Sequence, residues 1–445
     1  MSKILLVAEE ALKKQDYQSV IDLTTQATKE DPKDYRGWAL RGAVMLLLKN
    51  YYPAILNNDK ALEIEPNLYQ ALNNRGACYI ALDLLDEATT DLNKALEISP
   101  DSWEPHLQLG LMYGSLDNFT AAEYHLSEAA RLGSKDGKGK HVVHAAYGTL
   151  LLGLGKWKEG FAEDLYRPEI MHQPFTAPHW HGEDLNGKHI LLFSEGGQGD
   201  RILSLRYINS ILGYYPYVQV TVKVPKGFLR FTEHSFPGVA VTQNNVDSNY
   251  VCSLPNIPMV LDMTWDTVPR PIKYLSVDQR LIDAWEPKIK ELPRGLNIGL
   301  CWASLNGITK VLPDKAIEKL GEIPNVNFIS LQVPHHECKA KIKLLNWSDH
   351  ITDWADTAAL IESLDLIISV DTAVAHMAGA LGKPVWTIVK YSTYWPWLDP
   401  RIPPTPRYSI WYPSMELFRQ QVANDWMMPI SRVILTLQRH LVGLT

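Results

Sequence analysis

A chain of 445 residues exceeds what a single hydrophobic core serves, and it is read as three domains. With 46% hydrophobic and 21% charged residues it is not a disordered polypeptide, and 43 basic against 50 acidic residues give a formal charge of −7, which excludes a global field that would draw in nucleic acid. The four cysteines, Cys78, Cys252, Cys301 and Cys338, show neither CxxC pairs nor metal-ligand spacing and read as reduced thiols of a cytoplasmic protein.

At the N-terminus, MSKILLVAEEALKKQ becomes acidic and helical after a short apolar run. No later run of about 18 apolar residues is uninterrupted, so neither a signal peptide nor a membrane span is expected. Gly42, Gly76 and Gly110 then recur every 34 residues, as do Ala27, Ala61, Ala95 and Ala129, with Pro32, Pro66 and Pro100 near the repeat ends. An aromatic or apolar residue follows each glycine by three (Met45, Tyr79, Tyr113) and an alanine by twelve (Ala54, Ala88, Ala122), a pattern that resembles the tetratricopeptide repeat. Small residues let the two helices of a repeat approach closely and proline closes the second helix, so four units are expected over about residues 1–136. HVVHAAYGTLLLGLGKWKEGFAEDLYR reads as a fifth helical pair, out of register and capping the stack. The groove of such a solenoid serves a protein or peptide partner, or the stack supports the domain that follows.

After Arg167 short β-like runs alternate with helical ones: HILLFSEG, VQVTVKV, GLNIGLCWA, VNFISLQ, LDLIISV and PVWTIVK. Alternation of this kind predicts parallel sheets covered by helices. RPIKYLSVD and the helix-like QRLIDAWEPKIKEL divide the strands into two groups, hence two Rossmann-like halves facing a cleft.

Three strand ends carry chemistry. In HILLFSEGGQGDRILSLRYI the strand enters a turn of Gly196, Gly197 and Gly199 and a helix begins at Asp200, which either caps that helix or projects into the cleft. No Gly-Lys-Ser/Thr follows, so the turn is not a Walker loop. In GLNIGLCWASLNGITKVLP the strand ends at Trp302 and a polar loop from Ala303 to Lys310 follows; the hydroxyls of Ser304 and Thr309 and the ammonium of Lys310 suit a diphosphate. In SVDTAVAHMAGALGKPVW the turn Asp371-Thr372 opens a helix over 373–381 that Gly382 and Pro384 close. Thr372 and His376, four apart, share a face at the helix N-terminus, where free amides attract an anion.

The strand with DTAVAH and ALGKPVW resembles the C-terminal half of the heptosyltransferase-like glycosyltransferases of family 9, and GGQGDRILSLRYI and TKVLP resemble that family's Gly-Asp and lysine loops. The resemblance covers about residues 175–440 and implies a GT-B fold. Together with the repeats it implies an α-solenoid of tetratricopeptide repeats over 1–168, an acceptor-side Rossmann-like half over 169–285 and a donor-side half over 286–445. By match, Asp200 is the base near the acceptor, Lys310 contacts donor phosphate, and Asp371, Thr372, Ala373 and His376 bind the donor, with Ser304 beside them. Ala373 replaces the family's usual glycine and the lysine loop is longer.

The resemblance implies inverting transfer of a sugar from a nucleotide-activated donor to an acceptor hydroxyl of a protein, peptide or saccharide. No Asp-x-Asp clamp ends a strand, and the acids of TDWAD are three apart, so no metal or other cofactor is expected. Two rival readings are a scaffold that keeps the shape without turnover and a nucleotide-sugar epimerase. Gln332 to His336 is a candidate nucleoside contact, and Arg419 or Gln420 either reaches the cleft or belongs to a closing segment.

Overall fold

The computed structural model describes residues 3–137, 139–166, 175–304, 307–334, 338–391, 395–398 and 407–443. The chain forms two compact units, residues 1–150 and 151–445. Among the described residues no helix is long and apolar enough to cross a membrane.

The first unit is a solenoid of helical pairs, Tyr35–Leu47 with Tyr51–Ile64, Tyr69–Ala81 with Leu85–Ile98, and Trp103–Ser115 with Phe119–Asp136, preceded by Lys3–Lys13 with Tyr17–Glu30. The periodic glycines sit where the helices of one pair cross. A Cβ at Gly42 would lie 2.8 Å from Asn58, at Gly76 2.7 Å from Leu92, and at Gly110 2.6 Å from Leu126. The partners recur at the same period of 34, so one packing solution is repeated. Arg75 ties successive repeats together, bonding Asp91 of its own pair and Asp59 of the preceding one, each at 2.6 Å. The turns inside the repeats hold left-handed residues at Gln15, Lys49, Asp83 and Asp117, none a glycine. That second 34-residue period is hidden from a reading that follows glycine and proline alone.

The second unit holds two parallel sheets. Strands β1 (His189–Phe193), β2 (Gln219–Lys223), β3 (Ala240–Thr242) and β4 (Tyr250–Ser253) lie in the order β3-β2-β1-β4. Strands β5 (Leu296–Cys301), β8 (Val326–Ser330), β9 (Leu344–Asn346), β10 (Leu366–Val370), β11 (Val385–Val389) and β12 (Met415–Arg419) lie in the order β12-β11-β10-β5-β8-β9. Between β5 and β8 runs an antiparallel hairpin of β6 (Ala303–Ser304) and β7 (Gly307–Val311). All six strands expected from the sequence are present, and β10 is buried throughout, as a central parallel strand with helices on both faces must be.

Three details differ from expectation. The polar loop before Lys310 is the β6–β7 hairpin, consistent with the β-branched run Ile308, Thr309 and Val311. QRLIDAWEPKIKEL forms two short helices, Gln279–Asp283 and Glu286–Lys290, because Pro287 has no backbone donor and is accepted only in the first turn of a new helix. The closing segment WYPSMELFRQ supplies edge strand β12, where the Arg419 side chain donates to the Tyr391 carbonyl and Gln420 accepts from the Tyr391 amide at 3.1 Å, and neither residue lines the cleft. Trp157, from the helix Trp157–Asp164, stacks on Trp411 with ring centroids 5.5 Å apart, so that helix adds to the core of this unit.

Gly76→Val should destabilise the solenoid by about 1–3 kcal/mol, since the added methyls must displace Leu92. Differential scanning calorimetry of the full chain checks it; an unchanged melting profile would show that the helix crossing has slack.

Candidate active site

Each sheet has a switch point, between β1 and β4 in the first and between β5 and β10 in the second, where neighbouring strands lead off in opposite directions. In open α/β sheets ligands bind beyond the carboxyl ends of strands at such points. A cleft of about 560 Å³ lies there. Gly197, Gly199 and Asp200 line it from the first half, and Ser304, Lys310, Asp371, Thr372, Ala373 and His376 from the second. The residues nominated for the glycine turn, the donor-side helix, Ser304 and Lys310 therefore meet in this cleft except Gly196, which shapes its wall, whereas Arg419 and Gln420 do not reach it.

Gly196 takes φ +78°, a left-handed conformation that lets β1 turn sharply into the helix Gln198–Ser204. Asp200 occupies the third position of that helix, and its Oδ2 accepts from the Gly197 amide at 3.1 Å. The carboxylate thus secures the start of the helix while lining the cleft, and the two roles proposed for it coexist. A Cβ on Gly199 would lie 2.6 Å from His376 Cδ2 and 3.0 Å from Nε2, so only glycine lets this helix rest on the helix Ala373–Ala380.

His376 is 3% exposed. Its Nδ1 lies 2.9 Å from the Tyr412 hydroxyl, and its ring packs on Trp397 at 4.8 Å between centroids. Burial pushes its pKa down to about 4; the Arg206 and Lys310 charges act in the same direction and the Asp371 carboxylate opposes them. The ring is therefore neutral at pH 7 and works as a dipolar donor or acceptor, not as a cation.

Lys310 rises from β7, and its ammonium lies 2.5 Å from Asp371 Oδ2. Asp371 is the more buried partner, its side chain 10% exposed against 35% for Lys310. The carboxylate holds the lysine over the start of the helix Ala373–Ala380 while leaving part of the ammonium open to a ligand. Thr372 caps that helix without a side-chain bond to it; its hydroxyl instead meets Ser369 Oγ at 2.9 Å. The first-turn residues Ala373 and Val374 face the cleft, where the amides of a helix N-terminus favour an anion.

Gln332 is buried and its Oε1 accepts from the Ala303 amide at 3.1 Å, which fixes the base of the hairpin that carries Lys310. His335 and His336 lie outside the described residues. The acids of TDWAD bridge the halves: Asp353 takes two bonds of 2.7 Å from Arg230, on the helix Leu229–Ser235, and Asp356 takes a third of 2.8 Å. Trp354 beside them lines the cleft and donates to the Gln198 side chain. Among the described residues no group of three or more His, Cys, Asp or Glu side chains is placed to hold a metal ion.

Sequence reasoning passed over Arg206, Tyr412 and Lys390. Arg206 stands alone among apolar residues in LSLRYI, a signal that could have been read, whereas Tyr412 is brought in from far along the chain. Lys390, one residue beyond β11, has its pKa lowered by burial and by the nearby Lys310 charge.

The chain thus combines a helical-repeat solenoid with two Rossmann-like halves whose switch points share an anion-favouring cleft. Residues 351–396, from the start of the helix Trp354–Glu362 through β10, the helix Ala373–Ala380 and β11, match the profile of glycosyltransferase family 9 (heptosyltransferase). Protein FlbA of Caulobacter vibrioides is 25% identical over 321 residues, which is 62% of this chain and 54% of FlbA, so the chain spans about half the length of that relative. Among solved structures, a thermophilic tetratricopeptide-repeat protein of Thermus thermophilus is similar to 38% of this chain, over 90% of its own, with 22% identity and a TM-score of 0.34. The ADP-heptose lipopolysaccharide heptosyltransferase II of E. coli is similar to 57% of this chain, over 99% of its own, with 14% identity and a TM-score of 0.39.

Because His376 is neutral when folded and titrates near 6.5 when unfolded, the unfolded chain binds the extra proton first as pH falls. This contribution is intact above pH 6.5 and is lost between 6.5 and about 4, at a cost of about 3 kcal/mol. Urea denaturation at pH 7 and pH 4.5 should show a smaller loss for His376→Asn than for the parent chain. Equal losses would mean that His376 is charged in the folded protein.

Proposed function

We propose that the chain is an inverting, metal-independent glycosyltransferase that moves a sugar from a nucleotide diphosphate donor to an acceptor hydroxyl. The observation that carries this reading is the meeting, in one cleft at two switch points, of the Gly-Asp turn with the Lys310–Asp371 pair and the His376 helix. The family 9 match over residues 351–396 supports the sugar-transfer class independently of that geometry.

In this reading the donor diphosphate rests on the first-turn amides of the helix Ala373–Ala380, with the Lys310 ammonium and the His376 ring beside it. Charge builds on the leaving diphosphate as the anomeric bond breaks, and fixed donors in a partly dry cleft offset it without reorganising. Those groups stand where a divalent ion would otherwise be needed. Asp200, across the cleft, accepts the proton of the acceptor hydroxyl as the hydroxyl oxygen attacks the anomeric carbon from the face opposite the diphosphate, which inverts that centre. A carboxylate is a weak base at pH 7, so orientation and leaving-group stabilisation carry most of the rate. The acceptor is a protein, peptide or saccharide presented by the repeats, and the reaction is cytoplasmic.

The bond from Asp200 to Gly197 favours one competing reading, a scaffold whose carboxylate only caps a helix. Two measurements separate them. A thermal-shift panel of ADP, UDP, GDP, dTDP and CMP without magnesium should stabilise the parent chain with one nucleotide, by about 2.7 kcal/mol at a hundredfold excess over Kd, and Lys310→Ala should lose the shift. Asp200→Asn should then keep nucleotide binding and lower kcat about 10²–10⁴-fold. Binding without an effect of Asp200→Asn on turnover would remove Asp200 as base, and no shift with any nucleotide favours the scaffold.

A further inference from the structure

We infer that Tyr412, held by the buried Arg206 guanidinium, fixes His376 as the neutral tautomer protonated on Nε2, so that the ring presents an N–H donor to an anionic group in the cleft. The inference names a positioning residue for the site and rests on the proposed binding of a diphosphate there.

Arg206 is 1% exposed and lies at the junction of the helices Gln198–Ser204 and Tyr207–Tyr214. Its guanidinium stands over three rings, 4.8 Å from Tyr274, 4.9 Å from Tyr412 and 5.1 Å from Trp411. Nε donates to the Leu203 carbonyl at 2.9 Å and Nη1 to the Trp411 and Pro269 carbonyls at 3.1 and 3.3 Å. An arginine stays charged and can only donate. Hydroxyl oxygens near it are therefore drawn in as acceptors, and their protons turn elsewhere.

Two phenols stand in that position. Tyr274 accepts from Nη2 at 3.5 Å and sends its own proton to the Ile202 carbonyl at 2.9 Å. The Tyr412 hydroxyl meets both the guanidinium and the Tyr274 hydroxyl and lies 2.9 Å from His376 Nδ1; the Tyr274 oxygen already accepts from Nη2, so the Tyr412 proton is directed to Nδ1. Since Nδ1 accepts, the proton of the neutral ring sits on Nε2. Burial and the cations Arg206 and Lys310 keep the ring from taking a second proton, against the pull of Asp371. The Nε2 edge faces Gly199 and the cleft, and among the described residues Nε2 has no protein partner.

The tautomer decides the sign of the interaction. With the proton on Nε2 the ring donates to a phosphate oxygen; with the proton on Nδ1 it would turn a lone pair toward that oxygen and repel it. A hydroxyl far along the chain thus sets the polarity of a residue in the donor-side motif. Tyr412→Phe keeps the ring beneath Arg206 and removes only the proton donor.

The full chain labelled with ¹⁵N-histidine, with His376→Gln as assignment control, should show His376 as the Nε2–H tautomer at pH 7 by long-range ¹H–¹⁵N correlation. Tyr412→Phe should populate both tautomers and bind the nucleoside diphosphate found by thermal shift more weakly by the fraction of Nε2–H form that is lost, about twofold where the two tautomers are equal. An Nδ1–H tautomer or an imidazolium in the parent chain overturns the inference by itself, whether or not the variant folds. An unchanged tautomer in Tyr412→Phe removes Tyr412 from the role. If the parent and variant tautomers are as expected but no nucleoside diphosphate binds, the positioning inference stands and the sugar-transfer reading falls.

Discussion

The site depends on one close approach, that of Gly199 to the His376 ring. No side chain larger than a hydrogen fits between them, so the helix following β1 and the helix following β10 touch at their N-terminal ends. Two helices that begin at two switch points are thereby held with their anion-favouring ends toward one cleft. The glycine turn of the first half and the DTAVAH segment of the second, more than 170 residues apart in sequence, become a single constellation through this contact.

Charge is distributed around that contact in layers. Deepest is Arg206, a cation without a carboxylate partner among its hydrogen bonds, satisfied by carbonyls and aromatic faces. Above it His376 is kept neutral, and nearest the ligand space Lys310 is held by Asp371. At the rim Arg230 grips Asp353 and Asp356, joining the two halves through groups that solvent partly screens. Buried cations of this kind are costly unless fully hydrogen-bonded, and the arrangement shows where that cost is met.

Much of this was legible in the sequence, for reasons that differ by element. The 34-residue period declared the solenoid because each repeat needs a small residue at the same helix crossing, as Gly42, Gly76 and Gly110 show. Strands β1, β5, β10 and β11 were visible because central parallel strands are apolar on both faces. The short edge strands β3, β9 and β12 carry no such run, and the β6–β7 hairpin has too few residues to show a period. Residues adjacent to a strand end were found, since strand, turn and helix lie together in sequence. Arg206 was visible as a lone cation in the apolar run LSLRYI but was passed over, and Tyr412 joins the site only through the tertiary fold, which no local pattern records.

The start of the helix Ala373–Ala380, with Lys310 and His376 beside it, is where a nucleoside diphosphate should bind. Hydrogen–deuterium exchange of the full chain, with and without the stabilising nucleotide, tests it at the level of single amides. Protection should rise over residues 373–376 and change little in the solenoid, because ligand contacts close the local openings through which those amides exchange. Protection confined to the solenoid, or none at residues 373–376, would contradict binding at that helix.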